Sequence, residues 1–254
     1  MPHADSASGA MSSLVVLKLG AWKYGGMTDI TVRRVDFGYF VRPAEETGTG
    51  GPRVEPCLGY VVDHAQGMLL FDTGMGSHPD VDLHYRPRRI GLRKAIAAVG
   101  AQISDVRLAA NCHLHFDHCG GNPMLTQVPV FVQGTELDTA RRVPDYTLPE
   151  LIEGNRFERV SGQVEVLPGV SLMPTPGHTA GHQSLIVRQK DGVVIVAGQS
   201  HDTATHYAAD QLAWRAKRDA HGPPLPGLPE WIDTLKQLDP RMVYFAHDHS
   251  VWIP

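Results

Sequence analysis

The sequence predicts an α/β protein in which sheets are covered by helices. Three observations carry this prediction. Short runs rich in β-branched residues recur along the chain, each bounded by Gly, Pro or Asp. Stretches with apolar residues at helical spacing lie between some of them. Histidines gather where strand-like runs end, which is where open-faced α/β proteins usually build sites. At 254 residues and 42% hydrophobic content, the chain can bury a substantial core without disulfides.

Taken in order, residues 1–13 are small and polar, with no basic stretch leading into an apolar one, and read as a flexible leader rather than a signal peptide. Strands are expected at Leu14–Leu19, Leu58–Val62 and Met68–Asp72. A helix follows at Ile90–Val99, where Ile90, Leu92, Ile96, Ala97 and Val99 keep roughly a helical period and Gly100 ends it. Further strands are expected at Val106–Ala110, Val128–Val132, Val164–Val166, Val170–Met173, Ser184–Val187 and Val193–Ala197. A second helix, Glu230–Leu238, has Trp231, Leu235 and Leu238 on one face, and the strand Met242–Phe245 closes the order. Glu45–Pro52 and His221–Pro229 are Gly/Pro-rich and read as loops.

Composition narrows the function. A net charge of −4 argues against a dedicated nucleic-acid binder. No apolar run approaches the roughly 18 residues that cross a bilayer. Three cysteines, Cys57, Cys112 and Cys119, have no disulfide-framework spacing and suit a reducing, cytoplasmic location. No GxSxG occurs, which weakens a serine-hydrolase reading.

The fourteen histidines are unevenly placed. Asn111–Asn122 reads NCHLHFDHCGGN, with His113, His115, Asp117 and His118 within six positions. In an extended backbone, alternation puts His113, His115 and Asp117 on one side, and a turn brings His118 round. Cys112 and Cys119 then point away and pack. Imidazole and carboxylate are the ligands that suit zinc, iron or manganese. Thr175–His182 reads TPGHTAGH, setting His178 at a Pro-Gly turn, and Tyr244–His249 reads YFAHDH, setting His247 just past a strand.

HLHFDH, TPGHTAGH and the late strand-ending His together resemble the metallo-β-lactamase superfamily, and within it the N-acyl-homoserine lactonases. The resemblance covers about residues 14–250. It implies a four-layer αββα sandwich, with residues 14–254 as a single domain. It implies two divalent metal ions, zinc first among them: one held by His113, His115 and His178, the other by Asp117, His118 and His247. Asp72, in LLFDTGM, matches that superfamily's structural Asp-Thr-Gly turn. Phe116 matches the aromatic wall of the lactonases' acyl pocket.

Two departures stand out. Where dinuclear relatives carry a bridging Asp, this chain has Gln199, a neutral and weaker donor. Three readings follow: Gln199 contacts one metal while hydroxide alone bridges both, Asp202 swings in as a displaced bridge, or the second metal binds weakly and the site works with one. The lactonases also carry a Tyr three residues after that Asp, where this chain has Asp202. Tyr207 is the nearest tyrosine, and His201 and His206 are further local candidates to meet substrate.

The expected activity is hydrolysis of a lactone or small ester by hydroxide made available on the metals, with Asp117 as ligand and as the group that orients the nucleophile or shuttles a proton to the leaving oxygen. The partner is then a small-molecule substrate, with no nucleic acid and no membrane, and the protein a monomer or homodimer. The alternatives are a mononuclear iron oxygenase of the persulfide-dioxygenase type and a non-catalytic binding member of the superfamily.

Overall fold

The alternation along the strand Arg53–Asp63 shows how the layers arise. Leu58, Tyr60 and Val62 point into one core, Cys57 and Val61 into another, so this strand divides two apolar compartments. The computed structural model describes residues 29–219 and 227–254. Among these residues the elements run β1 (Thr31–Arg42), α1 (Ala44–Thr47), β2 (Arg53–Asp63), β3 (Met68–Phe71), α2 (Pro79–Tyr85), β4 (Arg88–Arg89), α3 (Leu92–Ala98), β5 (Val106–Ala110) and α4 (Phe116–Cys119). They continue with β6 (Val130–Gln133), α5 (Gly134–Arg142), β7 (Phe157–Val160), β8 (Val164–Leu167), β9 (Val170–Pro174), β10 (Gln183–Gln189), β11 (Gly192–Val196), α6 (Ala204–Arg218), α7 (Glu230–Gln237) and β12 (Pro240–Tyr244).

The strands form two mixed sheets, ordered β4-β1-β2-β3-β5-β6-β7 and β12-β11-β10-β9-β8. Between them lies a core in which Leu69 and Phe71 of β3 meet Leu172, Leu185, Val187, Val194 and Val196. The intervening residues Ile186, Val193 and Ile195 face outward, under Tyr207 of α6 and Leu235 of α7. The outer face of the larger sheet is covered by Leu92 and Ile96 of α3 and Leu137 of α5. The result is the expected αββα sandwich.

The expected strand Leu14–Leu19, the leader 1–13 and residues 221–226 of the His221–Pro229 loop lie outside the described residues. The other expected strands form, with ends shifted by at most two residues except at Leu58–Val62, where β2 begins five residues earlier, at Arg53. Several elements are not anticipated by the sequence. β1 buries Val35, Phe37 and Phe40, a period broken by the register shift between Asp36 and Tyr39. On α6 only Tyr207 and Gln211 are buried, and on α5 the buried stripe includes a glutamate. The Glu45–Pro52 stretch begins inside the single turn of α1. All three cysteines are free and buried, and no described helix is long and apolar enough to cross a membrane.

The sheets are joined at one end by backbone bonds. Leu58 N donates to Ala246 O at 2.9 Å and Gln183 N to Cys112 O at 2.8 Å. The Tyr60 hydroxyl donates to Phe245 O at 2.7 Å. This is the end at which β5, β9, β11 and β12 run out, so the loops after them emerge side by side.

Candidate metal centre

Those four loops carry His113 and His115, His178, Gln199 and His247 respectively. Asp117 and His118 arrive differently from the sequence expectation. The backbone is not extended through Asp117: Phe116–Cys119 is a single helical turn, α4, with His115 as its N-cap. An extended chain sends Asp117 and His118 to opposite faces, whereas a helical turn sets them about 100° apart, so both reach the same side. Gly120 lets α4 press onto the 73–76 turn, because a Cβ there would lie 2.0 Å from the Met75 carbonyl carbon.

Two groups of ligand atoms result. In the first, His113 Nε2 lies 3.0 Å from His115 Nδ1, and His178 Nε2 lies 3.3 Å from the same atom. In the second, His118 Nε2 lies 3.2 Å from His247 Nε2 and 3.5 Å from Asp117 Oδ2, and His247 Nε2 lies 3.4 Å from that oxygen. Gln199 Oε1 joins the second group, 3.3 Å from His118 Nε2 and 3.2 Å from His247 Nε2. A tetrahedral zinc ion with bonds of about 2.0–2.1 Å holds nitrogen ligands about 3.3–3.4 Å apart, so both groups have the spacing of a metal site.

The chemistry of the donors supports the same fit. His118 Nδ1 faces Asp72 Oδ2 at 3.0 Å, and His247 Nδ1 donates to Pro56 O at 2.9 Å. With Nδ1 protonated, each ring turns a lone pair on Nε2 toward the cluster. Two imidazole nitrogens, a carboxylate oxygen and an amide oxygen therefore converge, all acceptors, and a cation satisfies them together. Burial, with pressure from His118, His115 and His178, holds the His113 pKa well below its ordinary value. Burial likewise pushes His247 down to about 4. Burial would raise the Asp117 carboxyl, but His118 and His247 outweigh it and hold the group ionised. For His118 burial opposes a positive charge, while Cys112, Asp117 and Asp72 favour one and raise its pKa, a pull that a cation at Nε2 would answer in place of a proton.

Residues behind the ligands fix them. Asp72, at φ 61, spans two tasks: Oδ1 accepts from Cys112 N at 2.8 Å while Oδ2 meets His118. Cys112 does not point away as the extended reading expects. Its sulfur lies 3.1 Å from His113 Nδ1 and 3.2 Å from His118 Nδ1, on the rear of both rings, and burial raises its thiol pKa. Gly198, at φ +59, leaves room for it, since a Cβ there would sit 2.5 Å from Cys112 Cβ. Two residues, Glu136 and His182, were given no role by the sequence. Buried Glu136 accepts from Leu114 N and Thr179 Oγ1, both at 2.8 Å, and from the Tyr146 hydroxyl, tying together the loops that carry His113 and His178. Buried His182 accepts from Gln199 N at 3.0 Å.

The centre floors a cleft of 1440 Å³. Phe116 lines it, stacked on Tyr85 with ring centroids 4.8 Å apart and edge-on to Phe40 at 6.2 Å. Tyr146 stands 4.7 Å from the His115 ring. Asp202 also lines the cleft and belongs to neither ligand group: Arg53 Nη2 donates to it at 3.1 Å and Arg42 lies 3.6 Å away. His201 and Tyr207 do not reach the cleft. His201 is buried against Asp210 at 3.1 Å, while Tyr207 packs inward on Phe245 and Trp252 because α6 turns its face onto the smaller sheet.

The sequence profile of the Metallo-beta-lactamase superfamily matches residues 52–247. An N-acyl homoserine lactonase of a Bacillus species is 31% identical over 155 residues, 56% of this chain and 62% of that protein, so the match spans less than two thirds of the relative. The Bacillus subtilis protein named "Probable metallo-hydrolase YflN" is 30% identical over 210 residues, 70% of this chain and 74% of that one. Among solved structures, an N-acyl homoserine lactone hydrolase with N-hexanoyl-L-homoserine at its catalytic metal center superposes with a TM-score of 0.70 at 24% identity, covering 88% of this chain and 95% of that one. The dizinc quorum-quenching lactonase AidC gives 0.61 at 15% identity over 89% and 90%. The profile match, the αββα sandwich and the histidine loops at its sheet ends agree: the chain belongs to the metallo-beta-lactamase superfamily.

Proposed function

We propose that this protein is a metal-dependent hydrolase that opens a lactone or a related small ester. The observation that supports it most is the convergence of two ligand groups, His113–His115–His178 and Asp117–His118–His247, at the floor of a cleft walled by aromatic rings. Gln199 joins the second group through Oε1. Divalent ions bound there would lower the pKa of water toward neutrality and polarise a carbonyl.

The chain's own residues do the rest. Asp117, ionised beside His118 and His247, would hold the second ion through Oδ2, and its other oxygen would take the proton of the attacking water and pass it to the leaving alkoxide oxygen as the ring opens. Asp72 and Pro56 O keep His118 and His247 in one tautomer. Phe40, Tyr85 and Phe116 exclude water from one wall and receive the apolar part of the substrate. The lactonase relatives motivate the substrate class, and the apolar wall agrees with it.

Elemental analysis of protein purified without chelator, joined to a panel of lactones and esters assayed by acid release, tests this. About two equivalents of zinc, manganese or cobalt with turnover of a lactone is the expected result. One equivalent of iron with oxygen consumption would replace the hydrolase by the oxygenase, and a metal-free, inactive chain would leave a binding role.

A further inference from the structure

An amide has a donor end and an acceptor end, and only the acceptor end can ligate a cation. Gln199 presents Oε1 to His118 and His247, and its other end is engaged behind it: Nε2 donates to Asp202 Oδ1 at 3.4 Å. Asp202 is itself held from the far side. Its Oδ2 accepts from Arg53 Nη2 at 3.1 Å and lies 3.6 Å from Arg42 Nη1. The two arginines also share Glu55, which Arg42 Nη2 meets at 3.0 Å and Arg53 Nη2 at 2.5 Å. A carboxylate has no proton to offer, so this chain of contacts leaves Gln199 one favourable orientation.

We infer that Asp202 is a positioning residue that sets the polarity of the Gln199 amide, so that its oxygen and not its NH2 group faces a divalent ion held by Asp117, His118 and His247. The inference rests on the metal reading proposed above. It gives the residue three positions after Gln199 a task suited to an amide: a carboxylate at 199 has two equivalent oxygens and needs no such partner.

The isosteric variant Asp202→Asn isolates the effect. Arg53 and Arg42 attract the oxygen of the new amide and turn its NH2 toward Gln199. Gln199 then accepts with Oε1 and turns Nε2 to the cluster. Zinc affinity, measured by competition with a chromogenic chelator, is expected to fall about 10- to 100-fold at the second cluster while the first stays filled. The visible bands of cobalt at the second cluster fade in parallel, and the melting temperature of the metal-free protein stays at its parent value. In a Gln199→Glu background, Asp202→Asn is expected to cost no affinity. Wild-type affinity in Asp202→Asn, or an equal loss in both backgrounds, overturns the inference. A parent protein that binds no metal overturns the hydrolase proposal as well, and is seen before any variant is made.

Discussion

The two ligand clusters stand side by side and are built on different principles. The first is three imidazoles, from buried His113, half-buried His115 and exposed His178, with no charge of its own. The second has a carboxylate, is buried throughout, and is backed by Asp72, by Pro56 O and, through Gln199, by Asp202. One cluster is held by the loops that carry it, the other by a shell of polar contacts behind it. Loop geometry should therefore govern the first and electrostatics the second.

Breaking both at once gives the largest effect. Chelation is expected to abolish hydrolysis and to lower stability by about 4 kcal/mol per ion, about 8 kcal/mol for both, where free metal had stood a thousandfold above each dissociation constant, a fall in melting temperature on the order of 20 °C for a chain of this size. Asp117→Ala is expected to leave one metal equivalent per chain and to cut kcat/KM on the order of 10³-fold, the loss of one Lewis acid. Parallel metal counts and kinetics check both numbers.

Smaller changes sharpen the contrast. Asp72→Asn should weaken the second cluster about 10- to 100-fold and spare the first, which chelator competition resolves as two separate steps. Glu136→Gln should do the reverse. It disturbs the bonds to Leu114 N, Thr179 and Tyr146, destabilises the fold by about 1–3 kcal/mol in urea titration, and loosens metal at the first cluster only. The smallest effect is expected from Phe116→Leu: a KM shift below about tenfold for substrates with apolar chains, and unchanged metal content.

The inter-sheet core was legible in the sequence because Leu58–Val62, Val170–Met173 and Val193–Ala197 are short, mostly apolar runs bounded by Gly, Pro or Asp, and the loops with the histidines follow the ends of such runs. The ligand loops were legible because His and Asp at such spacing serve few other purposes. What escaped did so for local reasons. The alternation of His113 and His115 was carried one step too far, since a four-residue turn like α4 has no period to detect. Glu136 looks like any helical glutamate until its donors, from positions 114, 146 and 179, are brought together by the fold. His201 and Tyr207 stood close to Gln199 in sequence, but Tyr207 lies on the face of α6 that packs on the smaller sheet, and His201, just before α6, is buried against Asp210 and Tyr207.

The stitching of the two sheets by Leu58 with Ala246 and Gln183 with Cys112 has a kinetic meaning. His113, His115, Asp117 and His118 are neighbours in any conformation of the chain, whereas His247 is 129 residues from His118 and joins it only after the sheets have docked. Contacts so distant in sequence form late. Metal supplied during refolding thus meets a half-built ligand set first. It should be captured loosely by the short His-Asp segment and tightly only when β12 has seated, so the order of addition of metal and denaturant dilution becomes a clock for the last step of assembly.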